Sequence, residues 1–398
     1  MNRTKDRIPA QYASLQFFYW MTNLSIYSFS SAFLLPNGFS SSRVGIVMTL
    51  GSIGSLILEP VLADIADRSR RLTPAMITSV LCGLLILCLG GLLAVQENGT
   101  ALFVFYVLCY ILQTIMQPLI NEMNFFLERA GHTMNYGVAR AMGSLGYSLF
   151  SALLGVLTQR FGISMIPLMT IAVLAAMLVL LSSLNRSTAR ALKDNSDAPS
   201  EESQKPGSLI EFARTHGRLL LLTAGGTCLL FCSNACGSYL LQIVNHVGGT
   251  TENMGFALSV AAASEIPAMV LFERVRRKIS AGTLLKFAGI GYIVKHIILL
   301  TAKSYAAVLF AMVFQLVSFA VYIPAIVAYM HEHTSAEDAV KGQSLMPLAS
   351  SAAGLLSSFS GGFMIDRLGV GAFLTVCVVM AVIGTLIVFA AVGKEQKA

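Results

Sequence analysis

Twelve long apolar stretches follow one another along the chain, and they constrain its fold more than any other feature of the sequence. Each is about 18 residues or longer and carries few charges, which is enough for an α-helix to cross a lipid bilayer. Hydrophobic residues make up 55% of the sequence and charged residues 12%, which is more apolar surface than a soluble domain could bury. We therefore predict an all-α membrane protein with twelve transmembrane helices, at residues 12–35, 43–66, 74–95, 101–125, 136–159, 164–184, 218–244, 253–272, 282–301, 305–330, 342–365 and 370–392.

A charge motif that occurs twice indicates that the chain consists of two related halves. Each copy has a glutamate, seven further residues, an acidic residue, an arginine, any residue and two arginines. The copies begin at Glu59 and Glu265, which are 206 positions apart, and a similar offset relates residues 159–163 to residues 366–370. Internal repeats of this kind are a recurring feature of membrane transporters.

We therefore predict two pseudo-symmetric six-helix halves, at residues 1–184 and 218–398. The composition changes abruptly to polar residues between them, which predicts a cytoplasmic linker at residues 185–217.

The charged residues of the two motif copies are candidates for a gate, because they lie in short inner loops that can bridge neighbouring helices. Cations at a helix C-terminus and anions at the next N-terminus are also favourable by helix electrostatics alone. The two interpretations are compatible. The candidate gating residues are Asp67, Arg68, Arg71, Glu273, Arg274 and Arg277.

The distribution of lysine and arginine predicts the orientation in the membrane. If both termini are cytoplasmic, 20 of the 27 lysines and arginines lie in inner segments and four lie outside. This asymmetry follows the positive-inside rule and predicts a multi-pass protein of the cell's inner (plasma) membrane. The net charge of +7 is then explained by attraction to the anionic leaflet of the lipid bilayer, so no nucleic-acid partner is expected.

All seven cysteines fall within predicted spans, which argues against a disulfide framework. Cys228, Cys232 and Cys236 share one helix face, so they either form a soft metal site or let helices pack closely. We favour packing, and we predict neither a metal nor a cofactor.

A stripe of amides on the fourth predicted span is a candidate for lining a binding site. Its members follow one another at spacings of four, four and three residues, so they lie on one helix face. On the first span, Asn23 and Tyr27 share a face in the same way, and they either line a cavity or bond neighbouring helices. The members of the stripe are Gln113, Gln117, Asn121 and Asn124.

The strongest chemical signal is an acid and a base on two consecutive spans. Glu122 flanks the stripe, and Arg140 opens the next span, with Ser144 and Tyr147 one and two turns further on. Because the two helices run antiparallel from one loop, Glu122 and Arg140 are expected at similar depths. They form either a structural ion pair or a site that hydrogen-bonds a polar solute, with Tyr147 offering an aromatic face.

Three glutamates within spans are candidates for carrying a proton, because a carboxyl group removed from water can exist in its neutral form. They are Glu59, Glu122 and Glu265. Lys286 or Lys295 on the ninth span could reach Glu265 through a long flexible side chain. The alternative is that these residues are paired structural charges.

The loop after the second span resembles the signature of the major facilitator superfamily, which has a glycine, an aspartate and basic residues between its second and third helices. The residues that match are Asp67, Arg68 and Arg71. Ala63 stands where the family usually has a glycine, and Arg70 where a second glycine is expected. The twelve spans and the duplicated half agree with this resemblance along the whole chain.

Within that superfamily the fourth and fifth spans resemble lactose permease and the oligosaccharide:proton symporters. That family contacts its sugar with a glutamate and an arginine eighteen residues apart, which the resemblance assigns to Glu122 and Arg140. Its sugar-stacking tryptophan falls at Tyr147. The order of small residues around the arginine of its fifth helix is also kept, in Gly137, Ala139, Arg140, Gly143 and Gly146. Related nucleoside and aromatic-acid permeases share part of this pattern.

The second half departs from that family. The positions of its histidine and its proton-carrying glutamate align with Phe319 and Tyr322. Neither side chain takes up and releases a proton near neutral pH. Lys295 falls near the family's arginine on the ninth helix, while Glu265 is displaced by about one turn from its glutamate. Proton coupling must therefore be relocated or absent.

The sequence shows no nucleotide-binding loop and no nucleophile with a credible base, so we predict a transporter and not an enzyme. The predicted function is secondary active transport of a small polar solute, an oligosaccharide or glycoside, by proton symport and alternating access. The resemblance implies a monomer. The alternatives are a proton-coupled exporter of drugs or amphipaths, or a nucleoside or aromatic-acid permease.

Overall fold

The computed structural model describes residues 7–68, 72–95, 98–129, 131–194, 216–334 and 339–392. These residues are nearly all helical, and no strand occurs among them. The chain divides into two compact units, one within residues 1–201 and one within residues 202–398. Most of the predicted linker lies outside the described residues, and the predicted boundaries of the halves stay predictions.

The first unit contains seven helices within its described residues. Within this unit α1 packs against α6 and α7, α4 against α5 and α7, and α3 against α5. The helices are α1 (Ile8–Tyr27), α2 (Ser30–Leu34), α3 (Ser41–Arg68), α4 (Pro74–Ala94), α5 (Gly99–Arg129), α6 (Tyr136–Phe161) and α7 (Met165–Asp194).

The second unit contains seven further helices and one short 3₁₀ segment within its described residues. Within this unit α14 packs against α8 and α11, and α11 also packs against α13. The elements are α8 (Gly217–Ser238), α9 (Leu240–His246), α10 (Thr251–Arg276), α11 (Ala281–Thr301), α12 (Tyr305–Val313), the 3₁₀ segment Phe314–Leu316, α13 (Phe319–His333) and α14 (Ala339–Val392).

The backbone repeats the duplication found in the sequence. Gly162 ends α6 with φ 92° and ψ 170°, and Gly369 interrupts α14 with φ 84° and ψ 170°. These glycines occupy equivalent places in the segments at residues 159–163 and 366–370. A side chain would be strained at such a φ, so the same turn requires glycine at both positions.

Four of the prolines inside helices form two pairs that repeat in the same way, while Pro347 of α14 has no such partner. Pro60 lies in α3 and Pro267 in α10, while Pro118 lies in α5 and Pro324 in α13. The partners of each pair are 207 and 206 positions apart. The pair Pro118 and Pro324 shows that the repeat includes α5 and α13, where the sequence has no repeated charge motif.

Ten helical segments among the described residues are long and apolar enough to cross a membrane. The last of them, Ser344–Val392, contains the interruption at Gly369, and α1 is not among the ten. The predicted count of twelve therefore stays a prediction. Large apolar side chains face outward along these segments: Leu87 and Val179 are each 71% exposed. Such surfaces suit a lipid environment, so the chain is a multi-pass membrane protein.

Three predicted spans are broken where the sequence reads as continuous. The first span divides into α1 and α2, the seventh into α8 and α9, and the tenth into α12 and α13. The last of these breaks contains the 3₁₀ segment and places its residues beside α10 and α11.

Close packing of α1 on α6 depends on two glycines of the predicted motif. A Cβ atom on Gly143 would lie 2.3 Å from Cδ1 of Trp20, and one on Gly146 would lie 2.5 Å from the backbone oxygen of Phe17. Both distances are far below van der Waals contact, so only glycine permits this approach. The close approach brings Trp20 of α1 beside Arg140.

Candidate functional site

Arg140 lies half-buried at the contact between α6 and α1. Its Nη1 donates a hydrogen bond of 3.3 Å to Oγ of Ser144, one turn further along α6. Its Cζ atom lies 4.0 Å from the centroid of the Trp20 ring, a cation–π contact. The guanidinium is therefore held by a hydroxyl on its own helix and an aromatic ring on the neighbouring one.

Gln16, one turn before Trp20 on α1, connects three helices. Its Oε1 accepts a 3.2 Å hydrogen bond from Nε1 of Trp20, and its Nε2 donates to Oη of Tyr12 at 2.9 Å. The same Nε2 donates to Oδ1 of Asn121 on α5 at 3.3 Å, and Asn121 also accepts from Oη of Tyr136 on α6 at 3.4 Å. Asn121 of the predicted amide stripe thus belongs to the same polar network as Trp20.

Tyr147 lies two turns beyond Arg140, as predicted, and its hydroxyl is 2.7 Å from Oγ of Ser28. The hydroxyl is thus directed toward the end of α1. The ring is half-buried, so part of its aromatic surface stays accessible.

The remaining amides of the stripe differ in their surroundings. Gln113 is 2% exposed, and within the described part of the chain its side-chain amide has no hydrogen-bond partner. Such a buried amide normally requires a water molecule or a polar ligand. Asn124 donates from Nδ2 to Oε1 of Glu128 at 3.0 Å, while Gln117 is half-buried on the same helix.

The site role of three further residues stays a prediction: Glu122, Asn23 and Tyr27. Glu122 is exposed on α5, and a direct contact with Arg140 stays a prediction. Asn23 and Tyr27 are half-buried on α1, and the Tyr27 ring lies 6.1 Å from the ring of Tyr110 on α5.

In the second unit, an amide connects the predicted acid and base. Lys295 on α11 is 3% exposed and donates from Nζ to Oε1 of Gln315 at 2.5 Å. Nε2 of Gln315 in turn donates to Oε1 of Glu265 on α10 at 3.0 Å. Of the two lysines proposed to reach Glu265, Lys295 is linked to it through Gln315. Lys286 has its Nζ 5.7 Å from the centroid of the Phe389 ring.

Next to Lys295 lies a buried imidazole. Nδ1 of His296 is 2.7 Å from the backbone oxygen of Tyr292, and Nε2 is 3.6 Å from Sγ of Cys236. Cys232 lies one turn before Cys236 on α8, and its Sγ donates to the backbone oxygen of Cys377 on α14, at 3.1 Å. These contacts suit the packing interpretation of the cysteines. Among the described residues no three His, Cys, Asp or Glu side chains are grouped closely enough to hold a metal ion.

The predicted gating residues are only partly described. The side chains of Asp67 and Arg68, and all of Arg71, lie outside the described residues. In the second copy Glu273, Arg274 and Arg277 are exposed at the end of α10. The strongest link there is made by a residue that was not singled out. Nη2 of Arg276 donates to Oε1 of Glu332 on α13 at 2.8 Å, while Oε2 of Glu273 is 3.9 Å from Nη1.

Sequence reasoning missed five residues that connect these networks: Gln16, Trp20, Arg276, Gln315 and Glu332. The signal for Gln315 is a lone amide in an apolar span, and the signal for Gln16 and Trp20 is their spacing of four residues on α1. Glu332 stands at the end of its helix, where nothing in the sequence indicates its partner.

Comparison with known proteins gives one family over nearly the whole chain. A family model described as the MFS_1 like family matches residues 10–390. The maltose permease of Geobacillus stearothermophilus is 26% identical over 378 residues, which cover 90% of this chain and 88% of the permease. The uncharacterized transporter YwbF of Bacillus subtilis (strain 168) is 22% identical over 395 residues, covering 95% and 92%.

Two solved structures share the fold. The nucleoside transporter NupG has a TM-score of 0.76 at 14% identity, with 96% of this chain and 98% of that one covered. The peptide transporter POT has a TM-score of 0.72 at 11% identity, with 95% and 93% covered. At such identities the likeness concerns the fold alone.

Proposed function

The chain belongs to the MFS_1 like family of membrane transporters, and we propose that it carries an oligosaccharide or related glycoside across the membrane by proton symport. In this proposal it is a secondary active transporter of the inner membrane that works as a monomer by alternating access, with both termini cytoplasmic. The proposed substrate site consists of Glu122, Arg140, Ser144, Tyr147, Gln113, Gln117, Asn121, Asn23 and Tyr27.

The observation that carries the proposal is the setting of Arg140. Its Cζ atom lies over the Trp20 ring, 4.0 Å from the centroid, and Oγ of Ser144 accepts a hydrogen bond from Nη1. The planar guanidinium has five N–H groups, a geometry that suits a fork to a pair of solute hydroxyls or to an acidic group. Polar side chains of three helices surround this position, as a hydroxyl-rich solute requires.

One relative supports a sugar as the solute. The maltose permease is named for a disaccharide and covers nearly the whole chain. The acid and base of the lactose permease pattern stand at Glu122 and Arg140, with an aromatic ring kept at Tyr147.

Proton coupling is proposed to use the network of Glu265, Gln315 and Lys295. Since Phe319 and Tyr322 replace the groups that carry the proton in the lactose permease pattern, the proton needs another carboxyl group. Glu265 is hydrogen-bonded within 3.0 Å to an amide that also accepts from a buried ammonium. When Glu265 takes up a proton, it loses its attraction to Lys295, and the network can rearrange. Glu59 and Glu122 are the other candidates.

The decisive experiment is the uptake of labelled di- and trisaccharides, maltose included, into proteoliposomes with and without an inward proton gradient. Accumulation that requires the gradient supports the symporter. Equilibration that ignores the gradient would make the protein a facilitator with structural acidic residues. If no sugar enters, the same vesicles are tested with nucleosides, aromatic acids and hydrophobic cations, and the sugar proposal is abandoned.

The substrate site is tested by Arg140→Lys, because a single ammonium cannot reproduce the planar fork of a guanidinium. We expect sugar binding to be lost. Arg160→Lys, an exposed position at the end of α6, is the matched control and is expected to bind normally. Normal binding by Arg140→Lys would remove Arg140 from the site.

A further inference from the structure

The amide of Gln16 is fixed in one orientation by its neighbours. It is 1% exposed, and both ends are engaged: Nε2 donates to Tyr12 and Asn121, and Oε1 accepts from Trp20. An indole N–H can only donate, so the amide oxygen must face Trp20. This arrangement sets the rotation of the indole ring about its side-chain bonds.

The other side of the indole packs against Gly143 on α6, where no side chain stands in the way. The Cδ1 atom of Trp20 occupies the space where a Cβ of Gly143 would lie, at 2.3 Å. The ring also packs edge-to-face on Tyr19, with the centroids 5.6 Å apart and the planes at 81°. Trp20 is thus held by Gln16, Gly143 and Tyr19.

Arg140 stands three residues before Gly143 on the same helix, so its side chain reaches the face of this fixed ring. A guanidinium stacked on an aromatic face keeps its in-plane N–H groups directed sideways. A long side chain with several rotatable bonds otherwise loses considerable conformational freedom when it binds a ligand.

We propose that Gln16 and Trp20 are positioning residues that hold the Arg140 guanidinium in its substrate-binding orientation before the substrate arrives. The inference rests on the proposed role of Arg140 in the substrate site. It assigns the chain's single tryptophan to orienting the arginine, whereas the lactose permease pattern places an aromatic ring against the sugar at Tyr147. The pre-oriented fork lowers the entropic cost of binding.

The first test is uptake kinetics of the sugar that the wild-type protein carries. Trp20→Leu removes the aromatic face, and we expect KM to rise by about 30-fold, with a smaller change in the maximal rate. Trp20→Phe keeps an aromatic face and recovers most of the affinity, whereas Gln16→Leu lies between the two. An unchanged KM in Trp20→Leu, with only a lower melting temperature, would reduce Trp20 to a packing residue and overturn the proposal.

A pair of glycine variants decides the question if Trp20→Leu does not fold. Gly143→Ala displaces the Trp20 ring, whereas Gly146→Ala meets the backbone of Phe17 in the same interface. We expect Gly143→Ala to raise KM more than Gly146→Ala does. Equal KM values in the two variants would show that loosening the contact between α1 and α6 explains the effect, and the proposal would fail.

A spectroscopic measurement tests the Trp20–Arg140 contact without any transported substrate. Because Trp20 is the only tryptophan, the protein's tryptophan fluorescence reports this residue alone. Acrylamide quenching is expected to increase in Arg140→Ala, which uncovers one ring face, and to stay unchanged in Arg160→Ala. Unchanged quenching in both overturns the positioning role. Failure of the wild-type protein to carry any sugar, with increased quenching in Arg140→Ala, would instead refute the sugar-transport function alone.

Discussion

Nε2 of Gln315 donates a hydrogen bond of 3.0 Å to Oε1 of Glu265, which places a neutral amide between a carboxylate and the buried ammonium of Lys295. The amide hydrogen-bonds to both charged groups: its oxygen accepts from the ammonium, and its nitrogen donates to the carboxylate. A break in the helix makes this possible, because the 3₁₀ segment Phe314–Leu316 separates α12 from α13. The acid and the base are thereby coupled without direct contact.

Replacement of Gln315 by leucine should weaken the second unit. The ammonium of Lys295 loses its acceptor, and a buried polar group left without a partner costs about 1–3 kcal/mol. Gln11→Leu is the matched control: its amide donates to Oγ of Ser183 at 3.0 Å, between neutral groups, so its loss should cost about 1 kcal/mol. Unfolding in detergent measures both variants. If Gln315→Leu and Gln11→Leu lower the free energy of unfolding equally, the charged partners of Gln315 do not matter for stability.

Neutralising Lys295 and Glu265 together should be less harmful than the two single changes imply. Lys295→Met and Glu265→Gln each leave one charge without its counterpart in an apolar surrounding. We expect a double-mutant cycle to give a coupling of at least about 1 kcal/mol. The same cycle with Lys303→Met, at an exposed position just beyond α11, in place of Lys295→Met should be additive within about 0.5 kcal/mol. Additivity in both cycles would mean that the amide does not couple the charges.

Glu265→Gln should also separate coupling from binding. A neutral amide cannot take up a proton, so accumulation driven by the gradient should disappear while exchange of labelled for unlabelled sugar continues. Counterflow and gradient-driven uptake are measured in the same vesicles. Retained accumulation would move the proton to Glu59 or Glu122, whose glutamine variants are the next to compare.

The link between α10 and α13 should depend on Glu332 more than on Glu273. Glu332 accepts from Arg276 at 2.8 Å, whereas Glu273 is 3.9 Å away and its side chain is 72% exposed. Glu332→Gln should lower stability by up to about 1 kcal/mol, as expected for an exposed ion pair, and Glu273→Gln by less. Unfolding at low and high salt checks this, since screening should reduce the difference. A difference that salt does not alter would contradict an electrostatic origin.

Two of the glycines with positive φ, Gly162 and Gly369, should be equally intolerant of a side chain. Gly162→Ala and Gly369→Ala force a residue with a Cβ into a conformation that costs about 1–3 kcal/mol. Gly83→Ala is the control, since it lies in α4 with nothing within 4 Å of the added atom, and it should be neutral or stabilising. Melting temperatures compare the three. A large loss at only one of the paired positions would show that the two turns differ.

The sequence predicted the fold class well because membrane spans are long and their composition is distinctive. The all-α membrane fold and the resemblance to the major facilitator superfamily are confirmed by the match over residues 10–390 and by the solved structures. The breaks within three spans were not predicted, because a continuous apolar run contains no marker for a short turn or 3₁₀ segment. The order of polar residues along α5 and α6 was readable, since helical spacing decides which residues share a face.

The partners of the site residues were harder to predict than the residues themselves. Arg140 was identified from its place in a span, but its contact with Trp20 depends on how closely α1 approaches α6, which Gly143 determines. Likewise, Glu265 and Lys295 were identified as charges in spans, while Gln315 became visible only through the folded break between α12 and α13. Contacts between helices depend on packing, which the pattern within one helix does not contain.

The paired prolines of the two units have a consequence for hydration. Proline has no amide N–H, so Pro60, Pro118, Pro267 and Pro324 offer no intrahelical donor to the carbonyl oxygens four residues earlier. Those oxygens belong to Leu56, Thr114, Ala263 and Ala320. A backbone carbonyl in hydrocarbon without a donor costs several kcal/mol, so water or a hydroxyl group must reach each one. These four prolines, arranged as two matching pairs, therefore mark places in the membrane helices where water or a hydroxyl group must meet the backbone.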